Sequence, residues 1–177
     1  SALHFQNYVI FTNYQFYIDE FIRIGQEQVQ NPASGYVEFI QPGEGKSNTR
    51  MPQMPAYHLK REDGSGITMV NIGVGPSNAK TITDHIAVLR PHAWLMLGHC
   101  AGLRNSQRLG DYVLAHAYLR LDNILDRDLH PSIPIPALAE IQQALAAAAA
   151  QITGEQGYDI KRFMRTGTVA TIDDRNW

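Results

Sequence analysis

The segment between residues 67 and 97 constrains the fold of this chain more than any other part of its sequence. Ile67–Val74 is a β-branched, apolar run, and the residues after it predict a helix that Ser77 caps and that ends near Leu89. Ala93–Leu97 is a continuous apolar run, which is typical of a central parallel strand covered on both faces. Strand, helix and strand within about 30 residues form a right-handed βαβ unit, so we predict an α/β protein.

The rest of the chain supplies further strands and two long helices. Apolar and β-branched runs predict strands at Tyr8–Thr12, Tyr36–Ile40, Ala56–Arg61, Asp111–Leu121 and Ile160–Thr171. Helical periodicity predicts helices from Tyr14 to Asn31 and over Pro136–Ile152. We expect a hairpin turn at Asp63-Gly64, a mobile loop over Gln41–Gln53 and a proline-rich connector over Pro131–Pro136. With no linker between these segments, residues 1–177 are predicted to be one domain.

Composition excludes several classes of protein. The chain has 15 Lys and Arg against 17 Asp and Glu, so no basic field favours nucleic acid. Cys100 is the single cysteine, which excludes an internal disulfide framework and fits a reducing, cytoplasmic compartment. The longest apolar run lies within Leu145–Ala150, far below the ~20 residues of a membrane span, and Ser1–His4 does not begin a signal peptide.

The histidines and the cysteine show no established metal or nucleophile motif. None of the seven histidines forms His-x-x-x-His or His-Glu-x-x-His, so we expect no metal site. No Gly-x-Ser-x-Gly elbow occurs. Cys100 follows His99 directly, and neighbours in a chain rarely orient as nucleophile and base, so we do not expect a thiol enzyme.

Two glycine-containing turns follow the strands of the βαβ unit. The turn Gly73–Asn78 lacks the third glycine of a dinucleotide fingerprint and the lysine of a P-loop. Its two glycines still let a ligand approach the backbone at a helix N-terminus, although a plain tight turn explains them equally well. The loop Gly98–Gly102 stands where open α/β sheets bind ligands. There His99 could donate a hydrogen bond or a proton, or it could be a buried structural histidine.

Charged residues in two irregular segments are further candidates. Arg50 lies in a loop rich in Gly, Ser, Asn and Pro, where it could close on an anionic ligand or remain a solvated charge. Asp173 and Asp174 follow the last predicted strand. Because adjacent carboxylates point in different directions, we interpret them as a helix start or a solvated turn rather than a paired acid and base.

Three stretches of the middle third resemble the nucleoside phosphorylase/nucleosidase family. They are Val70–Ala79, Leu97–Leu103 and Leu109–Leu114, which are similar to the family's glycine turn, its apolar strand ending in glycines and its Gly-Asp strand. Asn48–Met51 resembles the family's Arg-x-Met loop. The resemblance extends from about Leu3 to Trp177 and implies a mixed central sheet flanked by helices.

The resemblance also implies an activity and an assembly. It is strongest to members that hydrolyse the N-glycosidic bond of AMP to adenine and ribose 5-phosphate. The resemblance to these members implies a hexamer built from dimers. It also implies that the reaction requires no cofactor. It further implies activation by ATP with Mg, inhibition by phosphate and a separate N-terminal regulatory domain that this sequence lacks.

Carried over by position, the resemblance assigns a substrate-binding role to eleven residues. Gly75, Pro76 and Ser77 are assigned to the ribose-phosphate end, and Arg50 is assigned to a phosphate. The residues beside ribose and purine are His99, Cys100, Ala101 and Gly102. The residues that flank the base are Thr168, Val169 and Thr171. Met96 and His99 replace an Arg and a Ser of the phosphorylases. Because a guanidinium that grips inorganic phosphate is hard to replace, this departure favours hydrolysis. A purine nucleoside phosphorylase and a non-catalytic nucleotide-binding fragment remain alternatives.

The end of the chain carries a further expectation. In the family, the Met-Glu-Ser-like segment and the Ser-Asp pair with the catalytic acid lie downstream of the strand matched by Phe163–Thr171. We therefore expect residues 1–177 to be a truncated catalytic domain whose sheet is incomplete. We expect this domain to be inactive by itself. The alternative is that Asp173 or Asp174 replaces the acid.

Overall fold

A computed structural model describes residues 2–43, 51–122 and 129–172. The chain divides into two compact units, Ser1–His99 and Cys100–Trp177. Each unit contains its own sheet.

The first unit is built on a five-stranded mixed sheet. Its elements are β1 (Tyr8–Thr12), α1 (Gln15–Gln30), β2 (Glu38–Ile40), β3 (Ala56–Lys60), β4 (Ile67–Asn71), α2 (Pro76–Ala87) and β5 (Ala93–Leu97). The strand order is β2-β3-β4-β1-β5. β1 pairs in parallel with both β4 and β5, whereas the pairs β2–β3 and β3–β4 are antiparallel. The predicted strands, α1 and the βαβ unit are thereby confirmed.

Two apolar clusters account for the stability of this sheet. One consists of Val9, Phe11, Val70, Ile72 and Ile86, the last of which lies on α2. The other consists of Ile18 and Phe21 on α1 with Tyr57, Leu59 and Met69 on the strands. Side chains of a strand alternate between its two faces, so one helix covers each face, and burial of these clusters stabilises the layered arrangement.

The prediction that Ala93–Leu97 is a central strand is wrong for the sheet of the first unit. Among the residues that the structure describes there, β5 lies at the edge of the sheet. Trp94 is 37% exposed and Met96 is 54% exposed, although the Trp94 ring still packs edge-on against Phe11 with centroids 5.8 Å apart. A run of apolar residues indicates apolar surroundings on both faces, but it does not fix the position of a strand in a sheet.

The start of α2 also differs from the prediction that Ser77 caps it. Gly75 occupies the cap position and Pro76 the first helical position, so Ser77 lies within the first turn. Proline has a fixed φ suited to the first helical turn and needs no amide partner there, which explains the earlier start. The Ser77 carbonyl accepts a hydrogen bond from the Thr81 hydroxyl at 2.9 Å.

The hairpin turn at Asp63-Gly64 is confirmed. The Gly64 amide donates to the Arg61 carbonyl at 3.1 Å, and one Asp63 carboxylate oxygen accepts from the Ser65 amide at 2.9 Å. Gly64 has φ +77°, a conformation that costs glycine little.

The second unit contains a three-stranded sheet and one long helix. Its elements are β6 (Tyr112–Leu121), β7 (Ile135–Pro136), α3 (Ala139–Thr153) and β8 (Met164–Ile172), with strand order β7-β6-β8. β6 and β8 are parallel, with a register shift between Ala115 and Ala117. A 3₁₀ turn over Asp159–Arg162 precedes β8, so the last strand begins four residues later than predicted. The predicted mixed α/β class is confirmed.

Two features are absent from the described residues. Within residues 2–43, 51–122 and 129–172, no helix has the length and apolar character needed to cross a bilayer. Those described segments also hold no group of three or more His, Cys, Asp or Glu side chains placed to bind a metal ion.

A buried histidine makes the first unit sensitive to pH. His58 on β3 is 4% exposed, and its Nδ1 lies 3.0 Å from the Thr68 hydroxyl. That hydroxyl also accepts from the Gln6 amide at 2.9 Å, so the imidazole lies in a buried hydrogen-bonded group. Burial, with smaller contributions from nearby positive charges such as Lys60, lowers the pKa of His58 to about 4.

We predict that acid destabilises the protein through His58. The unfolded histidine binds a proton near pH 6.5 and the folded one only near pH 4. The contribution of His58 to the free energy of unfolding is therefore fully present above about pH 6.5. It falls by about 2–3 kcal/mol as the pH drops to about 4. Denaturant titrations across this range should show a smaller loss in His58→Gln. His85→Gln, which changes an exposed residue of α2, should lose stability as the unsubstituted protein does. An equal loss in His58→Gln would contradict the prediction.

Candidate functional site

The carboxyl ends of three parallel strands meet at one edge of the first unit. Thr12 at the end of β1 pairs with Asn71 at the end of β4 and with Leu97 at the end of β5. The segments that follow these strands therefore start side by side. Open α/β sheets bind ligands at this edge, so we take it as the candidate site of the unit.

The turn from β4 into α2 is held by two hydrogen bonds and leaves space around Gly75. The Ile72 amide donates to the Thr12 carbonyl at 2.9 Å, and the Gly73 amide donates to the Asn71 side chain at 3.0 Å. Gly75 has φ +102°, and a Cβ added there would meet no atom within 4 Å. A ligand can thus approach this backbone at the N-terminus of α2, where free amides and the helix dipole favour an anion.

His99 is exposed at the end of β5, which contradicts the alternative of a buried histidine. Its ring centroid lies 3.9 Å from that of Tyr14 and 5.5 Å from that of Tyr17. The Tyr14 amide in turn donates to the Thr12 hydroxyl at 3.2 Å. Two tyrosine rings therefore hold the imidazole against the start of α1.

Asn13 adds an unused acceptor at the same edge. Its side-chain oxygen is buried and has no hydrogen-bond partner among the described residues. It lies 3.7 Å from the position that a Cβ on Gly98 would occupy. Sequence reasoning missed Asn13, Tyr14 and Tyr17 because they were assigned only to the strand end and the helix. Their approach to His99 follows from the pairing of β1 with β5, which no short sequence pattern reveals.

A cavity of about 330 Å³ lies beside α1, away from the turn before α2. Its walls come from α1 and the sheet and are mainly apolar, with Tyr17 and Leu97 among them. A charged nucleotide needs polar and cationic partners, which such walls do not supply. We therefore place the candidate site at the strand ends and not in this cavity.

In the second unit, Cys100, Ala101 and Gly102 are all exposed in an irregular loop. Gly102 lies against Gln107, because a Cβ on Gly102 would stand 2.9 Å from the Gln107 side-chain oxygen. The same oxygen accepts a hydrogen bond from the Arg104 amide at 2.9 Å. The loop is thus packed on itself.

The three predicted residues of β8 do not share one face of their sheet. Val169 and Thr171 are half-buried, while Thr168 is exposed on the opposite face, as the alternation of a strand requires. The Thr168 hydroxyl lies 3.3 Å from Nε2 of His116 on β6. The Thr171 hydroxyl is buried without a hydrogen-bond partner in the described part of the chain.

Three candidate residues lie outside the described residues. They are Arg50, Asp173 and Asp174. Their assigned roles stay predictions.

Two curated relatives of this chain carry the same name. The chain is 55% identical over 188 aligned positions to AMP nucleosidase of Escherichia coli (strain K12), and equally to AMP nucleosidase of Escherichia coli O157:H7. The alignment covers 98% of this chain but 39% of each relative. This chain therefore spans well under half the length of these curated relatives.

Solved structures are similar over the whole chain. The crystal structure of AMP nucleosidase from Bacteroides thetaiotaomicron VPI-5482 matches 100% of this chain and 64% of its own, with TM-score 0.71 and 27% identity. Purine nucleoside phosphorylase from Toxoplasma gondii matches 100% of this chain and 61% of its own, with TM-score 0.71. Its 15% identity shows a common fold alone.

The family itself follows from a match that extends over most of the sequence. A sequence model described as the phosphorylase superfamily matches residues 39–177, which is more than half of the chain. The chain belongs to the phosphorylase superfamily.

Proposed function

We propose that the protein hydrolyses the N-glycosidic bond of AMP and releases adenine and ribose 5-phosphate. The observation that carries this proposal is the 55% identity, across 98% of the chain, to a relative named AMP nucleosidase. The edge formed by β1, β4 and β5 supports it, since this is where the family resemblance assigns the ribose phosphate.

The proposed binding mode divides the nucleotide between the candidate residues. Gly75, Pro76 and Ser77 at the start of α2 receive the ribose-phosphate end, where helix amides stabilise an anion. His99 with the loop after it lies beside ribose and purine. Arg50 grips the phosphate, since a guanidinium can bond two of its oxygens at once.

The chemistry sets two further requirements. Cleavage of a purine N-glycoside develops positive charge on the sugar and negative charge on the base. A carboxylic acid of raised pKa must therefore protonate the base, and fixed dipoles must support the sugar cation. The resemblance assigns that acid to a Ser-Asp pair. Binding of the 5′-phosphate orients the sugar and contributes remote binding energy to catalysis.

Hydrolysis fits the residues better than phosphorolysis. Met96 stands where phosphorylases of the family carry the phosphate-gripping arginine, and its side chain is apolar and 54% exposed on β5. Without a bidentate cation at this position, inorganic phosphate is poorly held as a nucleophile. Water then attacks the sugar in its place.

The assembly and regulation are proposed on the family resemblance. It supports a cytoplasmic homohexamer built from dimers, with activation by ATP and Mg, inhibition by phosphate and no cofactor in the chemical step. The single cysteine, Cys100, is a free and exposed thiol, which fits a reducing compartment.

The reaction products test the proposal. We expect the full-length protein to release adenine and ribose 5-phosphate from AMP without added inorganic phosphate, and added phosphate to slow the reaction and not to support it. Chromatography of the products and a phosphate titration measure this. A strict requirement for phosphate, with ribose 1,5-bisphosphate as the product, would show a phosphorylase instead.

Arg50 should discriminate AMP from adenosine. Loss of a charge-assisted bond worth about 1.5–3 kcal/mol predicts that Arg50→Ala raises the AMP dissociation constant by about 10–100-fold and leaves adenosine nearly unchanged. Titration calorimetry with both ligands measures this. Arg23→Ala on α1 is the matched control, because Arg23 pairs on the surface with Glu20 and Glu27. If Arg50→Ala raises the dissociation constants of AMP and adenosine equally, Arg50 has a structural role and does not bind the phosphate.

The ring contact with His99 gives a test of the edge. Tyr14→Leu removes the ring 3.9 Å from the imidazole and should weaken AMP binding, whereas Tyr14→Phe keeps the ring and should bind nearly as the unsubstituted protein does. A ring-current shift of the His99 imidazole protons in NMR spectra checks the contact itself. If Tyr14→Leu binds AMP as tightly as the unsubstituted protein does, the contact between Tyr14 and His99 is not part of the binding site.

A further inference from the structure

We infer that Arg165 is a positioning residue. It anchors the irregular segment after Gly102 to β8, and this fixes the backbone of the preceding residues that we propose to line the nucleotide site. This inference rests on the proposed function for its link to AMP.

The guanidinium of Arg165 contacts the loop at two points. Its Nη2 donates to the Ser106 carbonyl at 2.7 Å, and its Nη1 donates to the Ser106 hydroxyl at 2.9 Å. Its Nε lies 3.5 Å from a carboxylate oxygen of Asp111, which precedes β6 and whose side chain is 15% exposed. One side chain on β8 thus reaches both the middle of the loop and its end.

The loop has few other means of keeping its shape. Residues 98–111 form no helix or strand. Their described internal bonds are short-range, such as the Gln107 amide to the Arg104 carbonyl at 2.9 Å and the Arg108 amide to the Asp111 carboxylate at 3.0 Å. The two bonds from Arg165 to Ser106 instead span 59 residues. They connect the loop to a strand of the sheet, whereas the short-range bonds connect it only to itself.

The anchored segment is in direct contact with Gly102. Gln107 follows Ser106, and its side chain packs so closely on Gly102 that an added Cβ would stand 2.9 Å from its oxygen and 3.2 Å from its Cβ. Displacement of Ser106 therefore moves Gln107 and releases the backbone at Gly102. Gly102 belongs to the loop that we propose to lie beside ribose and purine.

Arginine suits this task better than lysine. Its planar fork directs two N–H groups at the Ser106 hydroxyl and the Ser106 carbonyl, while its charge lies beside the Asp111 carboxylate, 3.5 Å from Nε. An ammonium group is a single point of charge and cannot reproduce this geometry. Arg165→Lys should therefore restore the charge but only part of the positioning.

Hydrogen exchange tests the anchoring in the full-length protein. In Arg165→Ala we expect amides of residues 102–111 to exchange about tenfold faster or more, and Arg165→Lys to lie between this variant and the unsubstituted protein. Arg162→Ala is the matched control, since Arg162 pairs with Asp159 and its side chain is 73% exposed. Unchanged exchange in folded Arg165→Ala, or equal acceleration in Arg162→Ala, overturns the inference.

Steady-state kinetics test the link to the nucleotide. Arg165→Ala should raise the KM for AMP by about tenfold while kcat changes less, because binding geometry is lost and not the chemical group. Ser106→Ala removes one bond, leaves the sheet intact and should give a smaller change in the same direction. An unchanged KM in a variant with faster exchange overturns the link. If the unsubstituted protein does not cleave AMP, the proposed function fails, and the exchange result alone decides the anchoring.

Discussion

The first unit depends on the parallel pairing of β1 with strands on both of its sides. Thr12 at the end of β1 is fully buried, its carbonyl accepts from the Ile72 amide and its hydroxyl accepts from the Tyr14 amide. These bonds fix where β1 stops relative to β4, and the register places the end of β5 level with both. Because parallel strands present their carboxyl ends at one edge, the glycine turn, the tyrosines and His99 are all directed there.

The elements of the fold could be predicted where local sequence decides them. The period of α1, the hairpin glycine and the strand–helix–strand order are local signals, and the structure confirms them. The edge position of β5 and the start of α2 were not predicted. A strand's place in a sheet depends on distant pairings, and Pro76 outweighed Ser77 in setting the helix start.

The candidate site could be predicted in part for the same reason. The turns at Gly75 and at His99 were found because glycines after apolar strands are a local pattern. Asn13 and Tyr14 were missed because their importance arises from the register of β1, which no short pattern reveals. Arg165 was missed because its partners lie 59 residues away along the chain.

The proposed binding site is tested most directly by a crystal structure of the full-length protein with an AMP analogue whose glycosidic bond is a carbon–carbon bond. We expect density for the 5′-phosphate and ribose at the N-terminus of α2, with His99 beside the sugar. Density for the nucleotide in the apolar cavity beside α1, with none at the Gly75 turn, would contradict the proposed binding of AMP at the carboxyl ends of β1, β4 and β5.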